Sequence, residues 1–339
     1  MVNETPPSRT PSFLAANPED SSLRQEKPLR LAMLGMIPGN GHPYSWSAIV
    51  NGYDPVEMSH CPYSMIPEYL AARPLESVGI PGASVTHIWT DEPGDAGNVA
   101  RAALIPHVVG DPTEVIGHVD GVVISTDDGE DHARRAAPFI EAGLPVFVDK
   151  PLATTIPELA RFARWKRQGG RILSSSGMRY AKEIDNVRDG DWVWLNSATG
   201  KSLERYGIHA LEPLFVLLGP GFRDVSCLGH ENSCIATVTH TSGALATLAV
   251  IPEAAGSFGA IAAHGRNGIA SLRLEDTYSA FRRQLVAVVE WMRGGTDPYP
   301  FDDTMELMAV LIAARESRAN RGCTVSTHSV LERVAKESL

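Results

Sequence analysis

The sequence is short of positive charge. Thirty lysines and arginines stand against forty aspartates and glutamates, a formal net charge of −10. That balance argues against a general affinity for nucleic acid or an anionic membrane, and leaves room only for a local basic pocket. Long apolar runs are missing too: nothing approaches the roughly 18 to 20 residues of a membrane span. The opening "MVNETPPSRTPSFLAANPEDSSLRQEKP" has no apolar signal core. It is rich in Pro, Ser and charge, so residues 1–28 are expected to form a loose tail, and the protein to reside in the cytoplasm. Cysteine is scarce. Cys61, Cys227, Cys234 and Cys323 include no C-x-x-C pair, so free thiols are expected in place of a disulfide framework or a zinc site. There is no internal repeat.

What remains is a long chain with regular alternation. Its 339 residues suit two domains. From residue 29, apolar strands such as "LRLAMLGM", "ASVTHIWTDEP", "VDGVVIST" and "PVFVDKP" alternate with helices such as "EDHARRAAPFIEAG". This pattern predicts an α/β domain over 29–152, with a doubly wound parallel sheet and a ligand site at the carboxyl ends of its strands. After about residue 172 successive strands follow with few helices between them, and "RNG" at 266–268 carries a hairpin signal. A second, α+β domain with a mostly antiparallel sheet is expected over 153–325, with a strand or tail to 339.

The loop after the first strand, "GMIPGNGH", is glycine-rich. Its spacing is G-x-x-x-G-x-G, not G-x-G-x-x-G. Ile37 and Pro38 lengthen it ahead of the Gly39-Asn40-Gly41 turn, and His42, Tyr44 and Trp46 bring unusual bulk. Pro43 suits the first turn of a following helix, whose backbone N–H groups can face a phosphate. Gly35, Ile37, Gly39, Asn40, Gly41 and His42 are therefore candidate dinucleotide contacts.

Lys150-Pro151, in "VFVDKPLATT", is the most informative pair. A lysine at the end of a parallel strand points into the ligand crevice, where it can act as acid or base or bind a substrate oxygen. An ordinary surface lysine is the plain alternative. In "YGIHALEPLFVLLG", His209 and Glu212 lie three apart and share a helical face. H-x-x-E is half of a metal site, but no second ligand cluster accompanies it, so no metal is expected. A histidine and glutamate serving only to pack a buried helix start is the other reading.

The order of glycine loop, "VVISTDDGEDH", "VDKPLA" and "YGIHALEPLFVLLG" resembles the Gfo/Idh/MocA oxidoreductase family, named for glucose–fructose oxidoreductase and inositol dehydrogenase. The resemblance covers residues 29 to 325. It implies an N-terminal Rossmann domain and a C-terminal α+β domain with a large, mostly antiparallel open sheet. It implies Lys150 and His209 as catalytic residues, with Asp149 and Pro151 completing the lysine motif and Gly207 matching the glycine of the histidine motif. Glu212 stands where that motif ends in Asp. Arg205 stands where it begins with Asp, which casts doubt on the usual route of alcohol oxidation and offers a guanidinium to an anionic substrate group. Tyr206, Glu212, Arg179 and Tyr180 are further candidates for binding substrate. For the cofactor, Ser125, Thr126 and His132 would line the nicotinamide side, with Asp127 in place of the family's proline. Thr90 sits where the family usually has an acidic residue for the adenosine ribose, with Asp91 one step later; this leans to NAD over NADP.

The resemblance thus implies an NAD(P)-dependent oxidoreductase acting on a sugar, polyol or derivative, in a homodimer or homotetramer. Two alternatives stand beside it: a redox-neutral enzyme that oxidises transiently with tightly bound NAD, and a non-enzymatic nucleotide-binding sensor or subunit. The segment 52–84 could fold over a cofactor.

Overall fold

The computed structural model describes residues 27–230, 233–253 and 259–339. The expected N-terminal tail lies outside them except for its last two residues.

The first sheet is built from β1 (Leu29–Leu34), β2 (Ala83–Trp89), β3 (His107–Val108), β4 (Gly121–Ile124), β5 (Val146–Val148) and β6 (Ile172–Leu173). Its order is β3-β2-β1-β4-β5-β6, with every pairing parallel. Both faces are covered, which is why β4 and β5 are apolar throughout. Side chains of β1 alternate between two cores: Ala32 and Leu34 join one, Leu31 and Met33 the other.

The helices α1 (His42–Asn51), α2 (Pro55–Met58), α3 (Met65–Ala71), α4 (Pro93–Ala102), α5 (His132–Glu141) and α6 (Ile156–Arg167) connect these strands. Segment 52–84 holds α2 and α3, which bury Met58, Ile66 and Leu70 in the core under the first sheet. The strand order reverses between β1 and β4, the place where a doubly wound sheet holds its ligand, and the loops at 35–41 and 125–131 meet there.

The second sheet comprises β7 (Trp192–Thr199), β8 (Phe222–His230), β9 (Ser233–His240), β10 (Leu245–Val250), β11 (Ala260–Gly265), β12 (Gly268–Arg273) and the two-residue β13 (Val325–Ser326). Its order is β12-β11-β7-β10-β9-β8-β13, antiparallel except for β7 with β10. The Arg266-Asn267 turn joins β11 to β12, as the hairpin signal predicts. Helices α7 (Leu203–Leu218) and α9 (Phe301–Ala319) cover one face. The opposite face carries Trp194, Leu228, Ile235 and Leu245, all exposed.

One placement and one element lie beyond what the pattern showed. Helix α8 (Thr277–Met292) returns to the first sheet, packing Phe281, Leu285, Val288 and Met292 into the core with Leu31, Met33 and Phe147. The C-terminal residues expected as a strand or tail form β13 and helix α10 (Thr327–Glu337), which buries Val330 and Val334. Among the described residues no helix is long and apolar enough to cross a membrane.

Candidate active site

The loops at the carboxyl ends of β1, β4 and β5 converge with the start of α7. Gly35 has φ +97°, and a Cβ there would lie 2.7 Å from the Thr126 methyl and 3.3 Å from Arg135; only glycine fits. Asn40 fastens the loop, donating from Nδ2 to Ser125 O (3.0 Å) and accepting the His42 N–H (2.8 Å). Gly41 is packed against Tyr63 and Ile66, while Ile37 is half-buried and Gly39, at the exposed tip, has open space around it. Ser125 turns its hydroxyl back onto Gly35 O (2.7 Å). The buried Thr126 hydroxyl has no hydrogen-bond partner among the described residues.

At the end of β2 the late carboxylate is the one that meets the loop. Asp91 Oδ2 accepts the Met36 N–H (3.0 Å), whereas Thr90 is buried and donates to Glu92 O (2.6 Å). Asp91 Oδ1 accepts from Arg135 Nη2 at 2.6 Å, and Arg135 Nε binds Asp131 (2.5 Å). A cavity of about 150 Å³ opens here between Trp89, Pro112, Thr113, Ile124 and Pro138. Arg101, the arginine nearest in sequence, is held elsewhere by Glu57 and Asn98. A larger cavity, about 1010 Å³, lies between α9 and the starts of α6 and α7. None of the residues expected to carry chemistry lines it, and its charges are engaged as Glu204–Arg318, Arg315–Glu130 and Arg333–Glu316.

Lys150 is 2% exposed and sits between two buried carboxylates. Its Nζ is 3.8 Å from Asp127 Oδ2 and 3.7 Å from Asp149 Oδ2. The Tyr206 ring centre is 5.1 Å away. Asp149 is itself fixed by the Lys150 N–H (2.7 Å) and by His42 Nδ1 (2.7 Å); His42 stacks on Trp46. The Lys150–Pro151 peptide is cis. Asp127 also pairs with Arg205. Burial alone would raise the Asp127 carboxyl, but Lys150 and Arg205 outweigh it and hold it at about 2. His132 braces the same loops, its nitrogens 2.9 Å from Pro151 O and 2.8 Å from Thr126 O, so it is buried behind the crevice and does not line it.

His209 is buried on α7, edge-on to Tyr206, with Nδ1 2.7 Å from Ser176 Oγ. Burial, then the positive charge of Lys150, keeps its pKa well below the usual 6.5. The imidazole is neutral at physiological pH.

Glu212 and Arg179, expected beside the substrate, instead bind each other at 2.5 Å, with side chains 1% and 9% exposed. Glu212 also accepts the Ser176 N–H (2.5 Å), and Arg179 stacks 4.1 Å from the Tyr299 ring centre. A buried guanidinium needs a carboxylate, and Glu212 is that carboxylate. The pair supports Ser176, and Ser176 supports His209. Tyr180 is buried beside them. Lys201, which the sequence did not single out, donates to Tyr206 Oη (2.6 Å) and Gly39 O (3.3 Å), joining α7's entry to the glycine loop. Among the described residues no group of three His, Cys, Asp or Glu could hold a metal ion.

A parallel sheet of this order, with a glycine loop at its crossover and a buried lysine beside it, defines a doubly wound α/β fold with a second, open-sheet domain. Residues 66–176, about a third of the chain, match the family model described as oxidoreductase family, NAD-binding Rossmann fold. The match begins after the glycine loop, the part that departs most from the usual fingerprint. Inositol 2-dehydrogenase 2 of Saccharopolyspora erythraea is 28% identical over 179 residues, 49% of this chain. That similarity spans about half, 51%, of the relative's own length. The folds agree over more. An oxidoreductase from Agrobacterium radiobacter, solved with NAD+, L-tartaric acid and magnesium, superposes with a TM-score of 0.68 at 15% identity, covering 89% of this chain and 99% of that one. The apo scyllo-inositol dehydrogenase of Lactobacillus casei gives 0.69 at 14% identity, with the same coverage.

Proposed function

We propose that the protein is an NAD(P)-dependent dehydrogenase that oxidises a hydroxyl of a sugar, polyol or derivative. The observation that carries this is the pairing of a caged cation, Lys150, with a neutral histidine, His209, against one tyrosine ring beside a glycine cradle. The residues present fit a dinucleotide. Gly35 takes a backbone angle open to glycine and packs directly on Thr126, the buried Thr126 hydroxyl lacks a partner among the described residues, and Asp91 lines an adjoining cavity. Gly35 and Gly39 would hold the pyrophosphate, and Asp91 the adenosine ribose hydroxyls, which favours NAD. The nicotinamide, when bound, accepts the hydride. The chain handles the proton: neutral His209 takes it from the hydroxyl, and the Lys150 side chain steadies the oxygen as charge develops. Turnover of a polyol panel with NAD and with NADP tests this directly; no turnover with either would defeat it. No feature of the geometry favours the redox-neutral alternative.

The cradle makes its own prediction. Gly35→Ala adds a Cβ into Thr126 at a backbone angle that disfavours L side chains. NADH affinity, read by fluorescence titration, should fall about tenfold or more, since such a conformation costs about 1–2 kcal/mol.

The open face of the second sheet supports a homo-oligomer. Trp194 and Leu245 are cross-strand neighbours there, as are Ile235 and Leu228. Exposed apolar residues gathered on one sheet face suit a second copy of the chain. Trp194→Glu with Leu245→Lys should shift sedimentation from dimer or tetramer toward monomer without loss of secondary structure.

A further inference from the structure

Asp127 lies in the loop after β4, and its carboxylate caps no helix. Among the described residues its side-chain partners are cations. One oxygen takes Arg205 from α7, and the other lies 3.8 Å from Lys150 Nζ. The second carboxylate near Lys150, Asp149, is already committed to His42 and to the Lys150 backbone N–H. Lys201, Tyr206 and His209 face the same ammonium from α7 and its entry, and none brings a negative charge. Asp127 is therefore the carboxylate whose charge is shared between the strand-end lysine of the first sheet and the helix that carries His209.

We propose, resting on the dehydrogenase reading above, that Asp127 is a positioning residue for Lys150: it aims the ammonium into the crevice and ties it, through Arg205, to the helix bearing His209. The helix has arginine at 205, so the carboxylate that orders the site comes from the opposite wall. Arg205 is then an internal counter-charge more than a contact for substrate. Removing one carboxylate from such a cage leaves two cations facing each other, and a like charge makes an ammonium's proton easier to lose.

The test uses Asp127→Asn, Asp127→Glu and Arg205→Gln in the full chain. For Asp127→Asn, kcat should fall at least about tenfold with KM for the dinucleotide changed less than about threefold, and the alkaline limb of the kcat/KM profile should move to lower pH. Asp127→Glu should recover part of both effects. Arg205→Gln removes a competing cation and should move the same limb the other way. A second readout needs no turnover: acetylation of Lys150 by acetic anhydride, followed across pH by peptide mass spectrometry, should begin at lower pH in Asp127→Asn than in the wild type. A wild type that turns over no polyol would sink the dehydrogenase reading, while the acetylation profile still tests Asp127. An unmoved limb and an unmoved acetylation profile in Asp127→Asn would overturn the proposal, even with a lowered rate. If Asp127→Asn does not fold, the opposite shift in Arg205→Gln decides, and its absence overturns the proposal.

Discussion

Lys150→Met should lower kcat by about a thousandfold while NADH affinity, measured by fluorescence titration, stays within a few-fold. A positioned acid–base or charge-stabilising group contributes about 10²–10⁴ to rate, and Lys150 is a cation held between two buried carboxylates. Methionine keeps the length of the stem and removes only the charge. Lys150→Arg is the sharper control. It keeps the charge but puts a wide planar group into a cage that is almost closed to solvent, so it too should lose most of the activity. A Lys150→Met enzyme that still turns over would show that the lysine is structural and that the proton and oxygen are handled elsewhere.

The second large effect is on stability. Glu212→Ala should cost about 3–5 kcal/mol in urea unfolding, because it leaves the Arg179 guanidinium buried without its main partner. Burial pushes the Glu212 carboxyl upward in pKa, while Arg179 and the Ser176 N–H hold it down. Its ionised form is thus maintained by those two neighbours. Replacing both partners, Arg179→Met with Glu212→Leu, should recover much of the loss, since a buried pair often contributes little over apolar residues of similar volume. Activity should not return with it: Ser176, the neighbour of His209 Nδ1, would still lack the carboxylate that fixes its backbone. Stability restored without activity would show that the pair serves the histidine as well as the core.

Much of the fold was legible because it rests on local pattern. Runs such as "VVIST" and "PVFV" must be buried on both faces, and the helices between them force parallel pairing. Lys150 and His209 were legible because each sits at a fixed place on a strand end or helix face. Their surroundings were not. Arg135 is one helical turn past Asp131, which says nothing about α5 lying over the glycine loop and delivering a guanidinium to Asp91. Glu212 shares a face with His209, and that spacing alone fits a substrate ligand as well as a buried counter-ion. Only the position of Arg179, more than thirty residues away in the chain, decides between them. Asp127 was visible as a departure from the proline of the family that the sequence resembles, but its two cationic partners come from β5's end and from α7, and no spacing joins these.

The return of α8 to the first sheet bears on how the molecule holds together as an object. A fragment cut at residue 152 would keep β1, β4 and β5 but lose the helix that covers Leu31, Met33 and Phe147. It would also lose β6, the edge strand beside β5. Its exposed face would be as apolar as a core, an invitation to aggregate. The two sheets are laced by the chain, one threading back through the other's territory. Loosening either strips cover from its neighbour, so the halves should melt together and be inherited together, as one unit that cannot be exchanged by a single splice.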